Sequence, residues 1–97
     1  MSVSELVNSE AHRRLASSIA DRLVERLKVT RLPLLKYPSR EWDRVHFAIL
    51  LLVDKTPDRL EDYVQMAADD WRNVLLAAGM AGSDWPTVLS LHDYKVP

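Results

Sequence analysis

The chain contains no cysteine and only two glycines, and both shortages exclude classes of protein. Without cysteine there is no disulfide framework, no thiol nucleophile and no cysteine-ligated zinc. Gly79 and Gly82 alone leave no room for a glycine-rich loop that cradles phosphate. The longest apolar run, Phe47–Val53, is far below the ~20 residues of a membrane span, and the first residues do not resemble a secretory signal. We therefore expect a cytoplasmic protein that does not enter a membrane.

The composition is otherwise that of a folded protein. Of the 97 residues, 47% are apolar and 28% are charged, which is ordinary for a globular chain and unlike a disordered or low-complexity one. No internal repeat is visible, and the length suits one domain. We predict a single domain over residues 1–97.

A four-residue repeat of apolar side chains predicts the first helix, over residues 9–29. The stripe consists of Leu15, Ile19, Leu23 and Leu27. Charged residues lie opposite, and Glu25 and Lys28 are spaced for a weak ion pair. Residues before this helix are expected to add a short turn capped by Ser2 or Ser4.

Residues 40–54 are strongly hydrophobic and are the hardest segment to classify. Val45–Val53 is apolar nearly all round except for His46, and a buried strand would share that pattern with a buried helix. Trp42 continues the helical stripe, leucine and alanine are good helix formers, and a lone strand would have no partner. We predict a helix, for which Ser39 offers an N-cap oxygen.

The third helix, over residues 57–78, has signals at both ends. Thr56 is a plausible N-cap, and Pro57 suits the first helical position. Gly79 stands where a left-handed C-cap is needed, and Met80 can fold back onto the last turn. A short helix over residues 84–91 follows, and the residues after it are expected to fray. The predicted fold is all-α, a compact bundle of three main helices plus a short C-terminal helix.

The charge is unevenly distributed along the chain. Residues 1–50 hold nine Lys/Arg against six Asp/Glu, net +3, and residues 51–97 hold four against eight, net −4. The two halves could attract each other or a second copy. Alternatively, the arginine-rich region 22–44 could contact nucleic-acid phosphates. The candidate residues for those contacts are Arg22, Arg26, Arg31, Arg40 and Arg44.

Two titratable groups fall on or beside apolar faces and therefore need partners. His46 is embedded in the apolar run, and Asp70 flanks the stripe of the third helix. They could form a buried polar pair with each other, or Asp70 could form an ion pair with Arg26 or Arg44. The spacing of the histidines gives no metal signature, and no nucleophile motif is present. Neither an enzymatic activity nor a cofactor has positive support.

Exposed apolar side chains would mark a surface that binds another protein. Trp85 stands outside the long helices and is expected to be partly exposed, forming a patch with Leu76 that Tyr37 and Tyr94 could extend. Tyr37 belongs to the proline-containing connector 31–38, which is either a binding loop or a strap over the core. Because the middle helix is apolar on every side, three helices could leave part of it uncovered. Its candidate interface residues with a second copy are Phe47, Leu50 and Leu51. The leading hypothesis is a homodimer, or a module that binds another protein.

Two segments carry a resemblance to known sequences. Arg44–Leu50 has the pattern Arg-Val-x-Phe-Ala-Ile-Leu, and Asp70–Gly79 follows the pattern Asp-[Trp/Tyr]-Arg-Asp-x-Leu-x-x-Ala-Gly with Asn73 at the second aspartate. The chain thereby resembles a group of small bacterial proteins over residues 41–88. It departs from that pattern again at Thr56-Pro57, where a glycine-containing turn is usual. The resemblance implies a bacterial origin and a helical fold, and it carries no activity and no site.

Overall fold

A computed structural model describes residues 3–32 and 40–95, apart from the side chain of Arg40. Every regular element in these residues is helical, which confirms the all-α class and places residues 45–53 in a helix rather than a strand. The elements are α1 Glu5–Arg14, α2 Ser17–Val29, α3 Arg40–Lys55, a 3-10 turn Pro57–Arg59, α4 Leu60–Ala78 and α5 Trp85–Leu91. The predicted Ser39 cap and Tyr37 lie outside the described residues.

The predicted first helix is two helices, α1 and α2, because Leu15 and Ala16 are extended. An apolar repeat of four residues drifts about 40° per step around a helix, so Val7 and Leu27 would face opposite ways on one straight rod. The break lets both be fully buried. α1 begins at Glu5, where the Ser4 hydroxyl accepts a hydrogen bond from the Val7 amide at 3.2 Å, as an N-cap should.

Helix α3 runs through the centre and packs against α1, α4 and the 3-10 turn. Phe47 and Leu50 are fully buried and Leu51 is 2% exposed. Their own chain therefore covers them, and the prediction that they face a second copy is wrong. The Cα radius of gyration of 11.8 Å is close to the ~13 Å of a closed 100-residue domain. The apolar helix needs no partner chain for its burial.

Helix α4 is interrupted once and ends as predicted. Asp70 has φ −160° and ψ 103°, so it is extended between two helical parts, which the predicted continuous helix over 57–78 did not include. At the other end Gly79 has φ +72°, and the Met80 amide donates to the Leu75 carbonyl at 2.8 Å. This is the predicted left-handed cap.

Helix α5 docks through two side chains one turn apart, Trp85 and Leu89, which are 6% and 0% exposed. The expectation that Trp85 is partly exposed is wrong, because it packs inward with Leu89 on one face of the helix. Beyond α5, Asp93 takes a left-handed conformation (φ +62°) and the Tyr94 amide donates to the Leu89 carbonyl at 3.0 Å. Residues 92–95, which we call the tail, are thus placed against the core and do not fray.

Candidate functional site

One face of α1 binds the backbone of the tail. Glu10, Arg13 and Arg14, which we call the clasp, are spaced three and four residues apart and so share that face. Glu10 is 1% exposed, although it carries a charge. The bonds run from Arg14 Nη2 to the His92 carbonyl (2.6 Å), from Arg13 Nη2 to the Asp93 carbonyl (2.7 Å) and from the Lys95 amide to Glu10 Oε1.

The tail also inserts one side chain into the core. Tyr94 is 4% exposed, and its ring meets Phe47 of α3 edge to face, with centroids 6.3 Å apart. The Arg14 guanidinium lies over the same ring, 3.5 Å from its centroid, and the phenol donates to Asp54 Oδ2 at 3.2 Å. Arg14 bonds to that carboxylate oxygen too, also at 3.2 Å. Helices α1 and α3 together thus form a pocket for a tyrosine.

The electrostatics keep each group of the site in the state that its bonds require. The Arg13 hydrogen bond lowers the pKa of Glu10 against the opposing effect of burial, and the Lys95 amide adds to the lowering. Burial, and then the charge of Asp54, raises the pKa of Tyr94. Glu10 therefore stays an anion that accepts hydrogen bonds, and Tyr94 stays a neutral donor.

Sequence reasoning missed this site because it treated the tail as frayed. A local signal was present, since Glu10 and Arg14 put two charges on the side of α1 that also carries Val7 and Ala11. Such charges beside an apolar face need partners. The partners themselves lie some 80 residues away, as the Arg13–Asp93 bond shows, and no local pattern identifies them.

The structure does not bring His46 and Asp70 together as a buried polar pair. His46 is 1% exposed, and neither of its ring nitrogens has a hydrogen-bond partner. Burial lowers its pKa to about 4, so the ring is neutral at pH 7. Because Asp70 makes no bond to it, the predicted pair is wrong, and an acid–base role that joins the two loses its basis.

Asp70 instead binds its near neighbour Arg72. Asp70 Oδ1 accepts hydrogen bonds from the Arg72 amide at 3.1 Å and from its guanidinium at 2.9 Å, and these bonds lower the pKa of Asp70. An ion pair was expected, but with Arg26 or Arg44. The extended backbone at Asp70 turns its carboxylate outward and makes it the N-cap of the second part of α4.

Three of the five arginines predicted to contact nucleic acid are engaged within the chain. Arg22 and Arg26 both bind Glu61 of α4, at 3.1 and 3.0 Å. Arg44 donates to the carbonyls of Met80 and Gly82 beyond α4 and pairs with Glu41, and its side chain is 14% exposed. Together with the Arg14–Asp54 pair, these bonds show that the basic and acidic halves attract each other within one molecule.

Of the other two arginines, Arg31 is exposed near the end of the first described range, and the side chain of Arg40 is not described. Their contacts with nucleic acid stay a prediction.

Of the residues predicted to line a protein interface, Leu76 is the one that the structure exposes. It is 67% exposed on α4, whereas Trp85, Phe47, Leu50 and Leu51 are buried and Tyr37 lies outside the described residues. Its neighbours Val74 and Leu75 face the core, and Asn73 and Ala77 share its exposed side.

Within residues 3–32 and 40–95, no group of three histidine, aspartate or glutamate side chains is placed to hold a metal ion. In the same part of the chain no helix combines the length and hydropathy needed to span a bilayer. The cytoplasmic location stays a prediction. Searches of protein-family models, curated proteins and solved structures return no match for this chain, so its resemblance to small bacterial proteins also stays a prediction.

Proposed function

We propose that this chain is a protein-interaction module without chemistry of its own, which binds its partner through the exposed side of the last turns of α4. The observation that supports the proposal is Leu76, a large apolar side chain with 67% of its surface in water. Asn73 and Ala77 beside it are shorter, so the leucine is accessible from their side and could enter a pocket of a partner. The partner is a second copy of the chain or another protein.

Sedimentation velocity of the wild type, Leu76→Glu and Leu91→Glu tests the first partner. Leu91 is a matched control because it is 80% exposed but lies on α5. We expect dimers at ~100 μM for the wild type and Leu91→Glu, and monomers for Leu76→Glu. A monomeric wild type at that concentration would exclude a second copy as the partner.

Affinity purification from the native host with the same three proteins as baits tests the second partner. We expect a stoichiometric protein to be recovered with the wild type and Leu91→Glu and lost with Leu76→Glu. Recovery of the same protein by all three baits would show that the partner does not bind through the Leu76 surface. Nucleic acid that dissociates between about 50 and 200 mM salt would favour the alternative function, phosphate binding by the arginine-rich region.

A further inference from the structure

The clasp and the pocket bind backbone groups and a tyrosine side chain, which a second copy of the chain also carries. Glu10, Arg13 and Arg14 bind three backbone groups of the tail, and the α1–α3 pocket binds the ring and hydroxyl of Tyr94. All of these side chains belong to α1 and α3, so none of the site comes from α5 itself. Any peptide that contains the tail, such as residues 89–95, presents the same groups to it.

The site is not saturated by the tail that it holds. Arg14 Nε is buried and has no hydrogen-bond partner, although the other two nitrogens of that guanidinium are bonded. A buried donor without a partner weakens the docked state. The docked tail therefore leaves one hydrogen-bond donor of the site, Arg14 Nε, unpaired.

The link between α4 and α5 gives the tail freedom to leave. Ala81, Gly82, Ser83 and Asp84 are all exposed, and we call them the hinge. Opening this connector breaks the Arg44 bond to the Gly82 carbonyl and uncovers Trp85 and Leu89, which exchange between copies buries again on the second molecule. Opening would carry α5 and the tail away together.

We propose that the clasp and its tyrosine pocket form a peptide-binding site, occupied in one molecule by its own tail and open to the same segment of a second copy by exchange about the hinge. This site is separate from Leu76 and does not depend on it. A tethered tail has an effective concentration near the millimolar range, so the closed form dominates in dilute solution. Exchange grows when the hinge is shortened, because a short hinge strains only the closed form.

A labelled peptide of residues 89–95 tests the site directly. Its binding to full-length Tyr94→Ala, whose own tail has lost its anchor, is measured by fluorescence anisotropy against the wild type. We expect at least tenfold tighter binding to Tyr94→Ala than to the wild type. Binding should be lost with Arg14→Ala/Tyr94→Ala and with a peptide that carries Tyr94→Ala. Equal affinities, or no binding to a Tyr94→Ala protein that keeps cooperative melting, would overturn the proposal.

A shortened hinge tests exchange should Tyr94→Ala fail to fold. Deletion of residues 81–83 in a Leu76→Glu background leaves the site and the tail intact, prevents the tail from reaching its own clasp, and removes dimers formed through Leu76. We expect a dimer by light scattering, with Tyr94 still protected from solvent. A monomer with an exposed tyrosine would refute exchange without bearing on the Leu76 surface.

Discussion

Trp42 and His46 lie one turn apart on α3, with their ring centroids 5.9 Å apart and their planes at 80°. Both side chains are buried. An edge-to-face contact of this kind is favourable between aromatic rings. The imidazole therefore serves the core as a neutral ring. Its two unpaired nitrogens cost free energy at every pH, and protonation adds a further cost.

We expect acid to destabilise the fold through His46. Its folded-state pKa is lowered to about 4, below the unfolded value of 6.5, so the unfolded state binds the proton first as pH falls. The stability is intact above pH ~6.5 and declines toward pH 4, by at most about 3 kcal/mol. Urea unfolding of the wild type and His46→Leu from pH 7.5 to 5 measures this. If the free energy of unfolding of His46→Leu fell with pH as steeply as that of the wild type, the assignment to His46 would be contradicted.

His12 should show the opposite dependence. Its Nε2 lies 2.8 Å from Asp21 Oδ1 and its Nδ1 lies 2.9 Å from the Asn8 carbonyl oxygen. Both oxygens can only accept, so the ring makes both bonds when it is protonated, and the Asp21 bond is the first cause of its raised pKa. Its contribution is complete below pH ~6.5 and is lost as pH rises through the folded-state pKa. An NMR titration should give His12 a pKa above 6.5, lowered again in Asp21→Asn. An unchanged value in that variant would show that Asp21 is not the cause.

The interruption of α4 should depend on the Asp70 carboxylate. Asp70→Ala removes the N-cap bond to the Arg72 amide, and we expect its Tm to fall by about 4–8 °C. The adjacent Asp69→Ala is the control, since Asp69 is exposed and binds only the exposed Gln65 among the bonds described. Its Tm should stay within about 3 °C. A higher Tm for Asp70→Ala would mean that a continuous helix is preferred once the carboxylate is gone.

Gly79 and Gly82 should respond differently to alanine. At φ +72° Gly79 is in the left-handed region, where a side chain costs about 1 kcal/mol even though the space around it is open. A Cβ on Gly82 would meet the carboxylate oxygen of Asp84 at 2.6 Å, and that exposed side chain can swing away. In chemical denaturation, the free energy of unfolding of Gly79→Ala should therefore be clearly lower than that of Gly82→Ala. Equal stabilities would count against the left-handed cap.

Features that depend on neighbours in sequence were predictable. Gly79 followed by Met80 predicted the end of α4, and the apolar run from Val45 predicted the buried α3. The break at Leu15 was predictable in principle, because extending the four-residue repeat back to Val7 shows the drift around the helix. The predicted apolar stripe stopped at Leu15, where the accumulated drift of about 120° still fits one broad helix face.

Features that depend on distant partners were not predictable. The sequence alone does not show whether Asp70 pairs with Arg72, Arg26 or Arg44. The extended backbone at Asp70 decides for Arg72. Trp85 could face either way until α5 is docked, since one tryptophan beside a proline has no periodicity to orient it. The tail contacts of Glu10 belong to the same class.

The clasp joins two segments that are far apart in the order of synthesis. Glu10 is translated 85 residues before Lys95, whose amide it binds. A nascent or prematurely terminated chain that ends before Tyr94 would hold two arginines and a glutamate beside a vacant tyrosine pocket. Such a chain would be conspicuous to proteases and chaperones, whereas one extended through Lys95 conceals the same charges. A chain cut before Tyr94 and a chain that extends through Lys95 thus present different surfaces at α1.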